Sequence, residues 1–201
     1  MNMRTLCVGF AAGCATMLLA AMTISPERSQ DPAEMEKLFM EAMEKYAMPA
    51  EQHAELAKRE GEWSADLKMW QAPDMPPEIM SGHTTFKMIM DGRYLLQEYT
   101  GTYNGMPFKG AGLTAYDRIK KKYINIWLDS MGTGIMYSEG RMKDGVVTYK
   151  GKMPDMMLGK YVPSRSTERD IDENTLVMKM FTPGPDEKEF QTMEITYKRI
   201  D

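Results

Sequence analysis

The chain has 201 residues, of which 27% are charged, with a formal net charge of -4. That length suits one ordinary domain with a real core, and the acidic balance argues against nucleic acid, whose phosphates require a basic face. The one tight basic run, Lys120-Lys121-Lys122, reads as a solvated turn.

Arg4 precedes an uncharged stretch from Thr5 to Ile24, the pattern of an export signal. About 20 apolar residues can also cross a bilayer, so residues 1–25 are expected to be a signal peptide or an N-terminal membrane anchor. Ala12-Gly13-Cys14 resembles a lipoprotein cleavage box as a third alternative, although the apolar run continues past it. The protein is thus expected to be exported, periplasmic or secreted, and to meet a membrane only through this segment. Both cysteines, Cys7 and Cys14, lie inside it. The mature part is therefore denied structural disulfides, thiolate metal sites and a cysteine nucleophile.

Residues 26–60 form a linker and a helical segment. Asp31 is a suitable N-cap, with Pro32 at the first helical position and Glu34 placed for a capping box. Met35, Leu38, Phe39, Ala42, Met43 and Tyr46 recur at helical steps and give one apolar face. A second short helix is expected from Pro49, carrying His53, Leu56 and Ala57, with Gly61 as its C-cap.

From Glu62 the hydrophobic period changes to two. Ten strands are expected, over 62–70, 82–90, 93–101, 107–116, 122–129, 134–140, 145–151, 161–170, 174–181 and 189–199. Asp91-Gly92, Asn104-Gly105 and Asp144-Gly145 are type I′ hairpin signals. Consecutive hairpins make an up-and-down meander, and closing it removes the exposed edges. The expected fold is mainly β: an antiparallel up-and-down barrel over residues 61–201, preceded by one or two short helices. Alternate connections of a meander share an end. The tight turns at Asp91, Lys120, Asp144 and Glu173 fall at one end. The longer loops at Gln71, Asp129, Lys152 and Thr182 fall at the other, which is where a site is to be sought.

His53-x-x-Leu56, Gly61-x-Trp63, Asp91-Gly92-Arg93-Tyr94, Tyr116-Asp117 and Trp127-x-Asp129-Ser130-Met131-Gly132-Thr133-Gly134 together resemble the bacterial family named domain of unknown function 1579, over roughly residues 50 to 200. The Gly-x-Trp is also similar to the lipocalin signature, which implies a tryptophan packed across the closed end. The family carries no established activity. A more distant likeness is to nitrobindin-like haem barrels, which need a histidine towards the C-terminus. The histidines here are His53 and His83, so no haem, and no other cofactor, is expected.

Candidate ligand contacts come from strand faces. Tyr123, Asn125, Trp127 and Asp129 alternate with Ile124, Ile126 and Leu128. An inward polar-aromatic face would offer stacking and a few directed hydrogen bonds; alternation alone also allows the opposite, and the resemblance favours inward. Methionine is abundant, at 23 residues. Met88 and Met90 with Phe86, and Met178 and Met180 with Leu176, look like barrel lining, where flexible thioethers accommodate several ligand shapes. Trp63 and Glu98 complete the expected pocket, with Arg165 as a partner for Glu98. An alternative is copper, because thioethers select Cu(I); its ligands would be Met75, Met153, Met156 and Met157 of the loops, with His83. No Gly-x-Ser-x-Gly, His-Glu-x-x-His, P-loop or dinucleotide fingerprint is present, so catalysis is not expected, although Asp129 or Glu98 as a general base defines an enzymatic alternative. His53 reads as a packing or capping residue. The leading expectation is a barrel that binds a small apolar or amphipathic molecule; an assembly module is the remaining alternative.

Overall fold

The structure, a computed structural model, describes residues 31–184 and 186–200; the expectations placed on residues 1–25 lie outside them. The chain divides into two units at Lys45 and Tyr46. In the first, α1 spans Pro32–Ala42. The Asp31 carboxylate accepts the Ala33 N–H at 3.0 Å, and Pro32 occupies the first turn, where its missing N–H costs nothing. The last turn widens to π spacing over Met43–Ala47.

The second unit opens with α2 (Glu51–Ala57), so the barrel unit begins earlier than residue 61. Gly61 does not cap this helix. The N–H groups of Lys58, Arg59 and Glu60 bond back to Glu55, Leu56 and Ala57 and close it in a tighter turn. Gly61 instead opens the first strand at φ 127°, a backbone that side chains resist.

Ten strands follow: β1 (Gly61–Met69), β2 (Glu78–Ile89), β3 (Tyr94–Tyr103), β4 (Met106–Asp117), β5 (Lys122–Asp129), β6 (Met136–Lys143), β7 (Val146–Asp155), β8 (Lys160–Asp172), β9 (Thr175–Pro183) and β10 (Glu189–Arg199). Each pairs antiparallel with its neighbour, and β10 returns to β1, closing the barrel. Asn104-Gly105 and Asp144-Gly145 have positive φ at both positions, as type I′ turns demand. At the β2–β3 turn Met90 and Asp91 join Gly92 in the positive-φ region, so β2 stops one residue short of the sequence expectation.

The core sits at the end with the tight turns. Trp63, Leu95, Tyr123, Val147 and Tyr149 meet Leu56 of α2 there, and α2 packs against β2, β3 and β4. The segment leading into α2 is tied down by Arg93, which donates to the Ala47 carbonyl at 3.1 Å, and by Arg118, which donates to Met48 at 2.8 Å. Just outside, Lys120 and Lys122 both pair with Glu139, at 2.7 and 2.6 Å, and hold its carboxyl down to about 2. The basic run is thereby partly neutralised by its neighbour strand.

His53 is buried beneath this cap. Its Nδ1 accepts the Ala50 N–H at 3.0 Å and its ring meets Tyr116 edge-on. Burial first, and then the Arg118 charge, lower its pKa below the ordinary 6.5. A lowered folded pKa means stability that is complete above the unfolded value and is lost as pH falls through the folded one. Urea denaturation at about pH 7.5 and about pH 5.5 should therefore show wild type losing more stability than His53→Gln. Equal losses would remove His53 as the titrating group.

Candidate functional site

At the other end the barrel is open. Between its walls lies a cavity of about 890 Å³, with Arg59 and Glu168 at the inner end and the β5–β6 and β7–β8 loops at the mouth. The volume is within the range of small-molecule sites, about 300–1,000 Å³.

The lining is sorted by strand. Leu176, Met178 and Met180 of β9, Met193 and Ile195 of β10, with Leu67 and Met80 from β1 and β2, form an apolar wall. Asn125, Ser138, Ser164 and Ser166 of β5, β6 and β8 form a polar one. Asn125 donates to Thr114 Oγ1 at 3.1 Å. Gln97 donates to Thr84 Oγ1 at 3.2 Å and to the Tyr197 hydroxyl at 3.3 Å. Burial pushes the Tyr99 phenol upward, so it stays protonated.

Arg59 is the charged centre of the inner end. It donates to Glu168 Oε2 at 2.7 Å and through Nε and Nη2 to both oxygens of Asp170 at 3.0 Å. Burial opposes its charge, but Glu168 and then Asp170 outweigh that and raise its pKa. Its main-chain carbonyl accepts the Trp63 indole N–H at 2.9 Å.

Of the residues singled out from sequence, Asn125, Trp127, Asp129, Met178 and Met180 are brought together in the lining. The polar-aromatic face of β5 does point inward. Trp63 and Tyr123 share that inward side but lie deeper, in the closed-end core, at 2% and 4% exposure. Met88 packs against the same core rather than the cavity.

Two residues are placed elsewhere. Glu98 is on the outer face of β3 and exposed, because the inward set there is Leu95, Gln97 and Tyr99. Met90 is an exposed turn residue. Arg165 is not a partner for Glu98; it pairs with Glu189 at 2.6 Å and stacks on Phe181. Each oxygen of Asp129 is engaged, one accepting the Trp127 indole N–H and the other the Met131 N–H, both at 2.9 Å.

The copper set is dispersed. Met153 and Met156 line the mouth, while Met75 and Met157 are exposed and absent from the lining. His83 faces outward, 3.4 Å from Glu62. Among the described residues no group of three His, Cys, Asp or Glu side chains could hold a metal ion.

Sequence reasoning missed Arg59, Glu168 and the inner serines. Both faces of β8 are polar (Ser164, Ser166, Glu168 against Arg165, Thr167, Arg169), so alternation gives no inward side. It also missed Gly110 and Gly112, whose register was legible: Gly112 is the cross-strand partner of Trp127, and strand glycines mark close approach.

A closed ten-strand barrel, capped at one end by a helix and hollow at the other, defines this as a lipocalin-like protein. The chain belongs to the family described as protein of unknown function DUF1579, which matches residues 48–199. No curated protein matches it. Among solved structures it is similar to Rv2717c from M. tuberculosis, at 13% identity and a TM-score of 0.52, over 77% of this chain and 100% of that one. It is also similar to a redesigned β-barrel, at 12% identity and a TM-score of 0.41, over 73% and 95%. At these identities the likeness to Rv2717c speaks for the fold.

Proposed function

We propose that this chain is an exported binding protein whose barrel holds a small amphipathic molecule. The observation that carries this is the cavity of about 890 Å³, apolar on β9, β10, β1 and β2 and lined by polar side chains on β5, β6 and β8. A molecule with one greasy and one polar side would satisfy both walls, whereas water would leave the methionine wall unsolvated. Export is supported by Arg4 and the uncharged run to Ile24.

Fractionation of its own cells into cytoplasm, envelope and medium, followed by native mass spectrometry of the protein recovered, tests both parts. The expected result is an organic adduct that is released on denaturation. A ligand at a hundredfold excess over Kd adds about 2.7 kcal/mol of stability, which a thermal shift would register. An adduct-free protein that gains no thermal stability from any of a panel of amphiphiles would overturn the binding role. Recovery wholly from the cytoplasm would overturn export.

A further inference from the structure

Trp127 is held as a plate against the barrel wall. A methyl group placed on Gly110 would overlap indole Cζ2 and Cη2, and one on Gly112 would come 3.2 Å from Cε3. The ring therefore lies across β4 where no side chain intervenes, and it lines the cavity. Its N–H is fixed by Asp129, itself fixed by the Met131 N–H. Tyr99 is seated the same way on β2, since a methyl on Gly82 would overlap its phenol. The Tyr99 ring meets Trp127 at 6.4 Å and Phe108 at 5.6 Å, both edge-to-face.

The wall opposite is methionine. In the closed strand order, β9 and β10 lie across the lumen from β4 and β5, and they contribute Met178, Met180 and Met193 to the lining. Thioethers are polarisable, pack on rings and adapt to their outline. On β8, beside this gap, Ser164 and Ser166 face the lumen. Arg59 at the inner end is already matched by two carboxylates, so it offers no free charge to an anionic group there; the lysines of the lining, Lys152 and Lys160, lie on β7 and β8 towards the turn that joins them at the mouth.

From this arrangement we infer the ligand class, a deduction that rests on the cavity-binding reading. The ligand is a flat, ring-bearing molecule whose rings are uncharged and clamped between the Trp127 plate and the methionine wall, with a hydrogen-bonding edge towards Ser164 and Ser166. A stack of this kind rewards planarity, and the hydroxyls reject a molecule that leaves them unpaired. A flexible alkyl chain would gain nothing from the plate beyond burial.

The test titrates the purified protein with two probes by calorimetry: lumichrome, a neutral tricycle with a hydrogen-bonding edge, and dodecan-1-ol, a flexible chain. Lumichrome is expected to bind, with Trp127→Ala weakening it about tenfold or more while leaving dodecan-1-ol within about threefold. Trp127→Tyr, which keeps a plate, should retain most of the affinity. If Trp127→Ala does not fold, Met180→Thr on the far wall carries the same expectation, and wild-type affinity for lumichrome would then count against the clamp. Binding of dodecan-1-ol but not lumichrome would overturn the clamp and leave the cavity-binding reading standing. Equal weakening of both probes would also overturn it, since Trp127 would be ordinary wall. If neither probe binds, the clamp falls, and the native mass spectrum decides the cavity-binding reading.

Discussion

Replacing Arg59 by methionine is expected to destabilise the fold by about 3–5 kcal/mol, the cost of breaking a buried ion pair from one side. Arg59 is 7% exposed and the Glu168 side chain 14%. Without the guanidinium, Glu168 is a carboxylate at the buried inner end of the barrel with its nearest cation gone. Asp170 contributes less, because its side chain is half exposed and water can take over. The pair is not stabilising in itself, since desolvating two charges offsets much of their attraction. Arg59→Met combined with Glu168→Met should therefore recover most of the loss. Urea denaturation of the two variants checks both statements. A single variant that loses under about 1 kcal/mol would mean that Glu168 finds another donor or water; a double variant no better than the single would mean that the arginine acts through packing.

This ion pair also marks the boundary of what could be read from the sequence. The strand count, the hairpin order and the end that carries the loops were all legible, because period-two alternation and the Asn-Gly and Asp-Gly turns are local signals. Strand ends were less so. β7 continues through Met153, Pro154 and Asp155 to pair with β8, with Pro154 opposite Tyr161. A proline normally argues against a strand interior, so a long loop was expected where a tight hairpin stands. β2 likewise reaches back to Glu78, which pairs with Met69, in a stretch whose prolines (Pro73, Pro76, Pro77) suggested only loop.

The site was half legible for a related reason. Alternation on β5 separates aromatic-polar from aliphatic side chains without choosing between the faces; the family resemblance favoured the aromatic-polar one, and that face carries Asn125, Trp127 and Asp129 into the cavity lining. What alternation cannot supply is depth along the strand. Tyr123 and Trp127 share one face of β5, yet one belongs to the core and the other lines the cavity. The difference comes from α2, which fills one end of the barrel and leaves the other hollow. A contact between a helix and strands that follow it at long range leaves no periodic trace.

Trp63 shows the same effect most strongly and yields the second large expectation. It is 2% exposed, its indole N–H donates to the Arg59 carbonyl, and the Arg199 guanidinium carbon lies 4.4 Å above its ring. Arg199 in turn donates to the carbonyls of Lys58 and Glu60. One aromatic ring thus joins the turn after α2 to the first and last strands, at the seam where the barrel closes. Trp63→Ala should cost about 3–5 kcal/mol, as large aromatic truncations do. Trp63→Phe, which keeps the ring for Arg199 but strands the Arg59 carbonyl, should cost about 1–3 kcal/mol. Far-UV circular dichroism during urea denaturation measures both. The proposed binding role makes a further demand on the same variants. Trp63 does not line the cavity, so folded Trp63→Phe protein should bind lumichrome as wild type does. A variant of full stability but weakened affinity would move Trp63 into the lumen; lost stability with affinity kept would fix it as the residue that fastens the closed end.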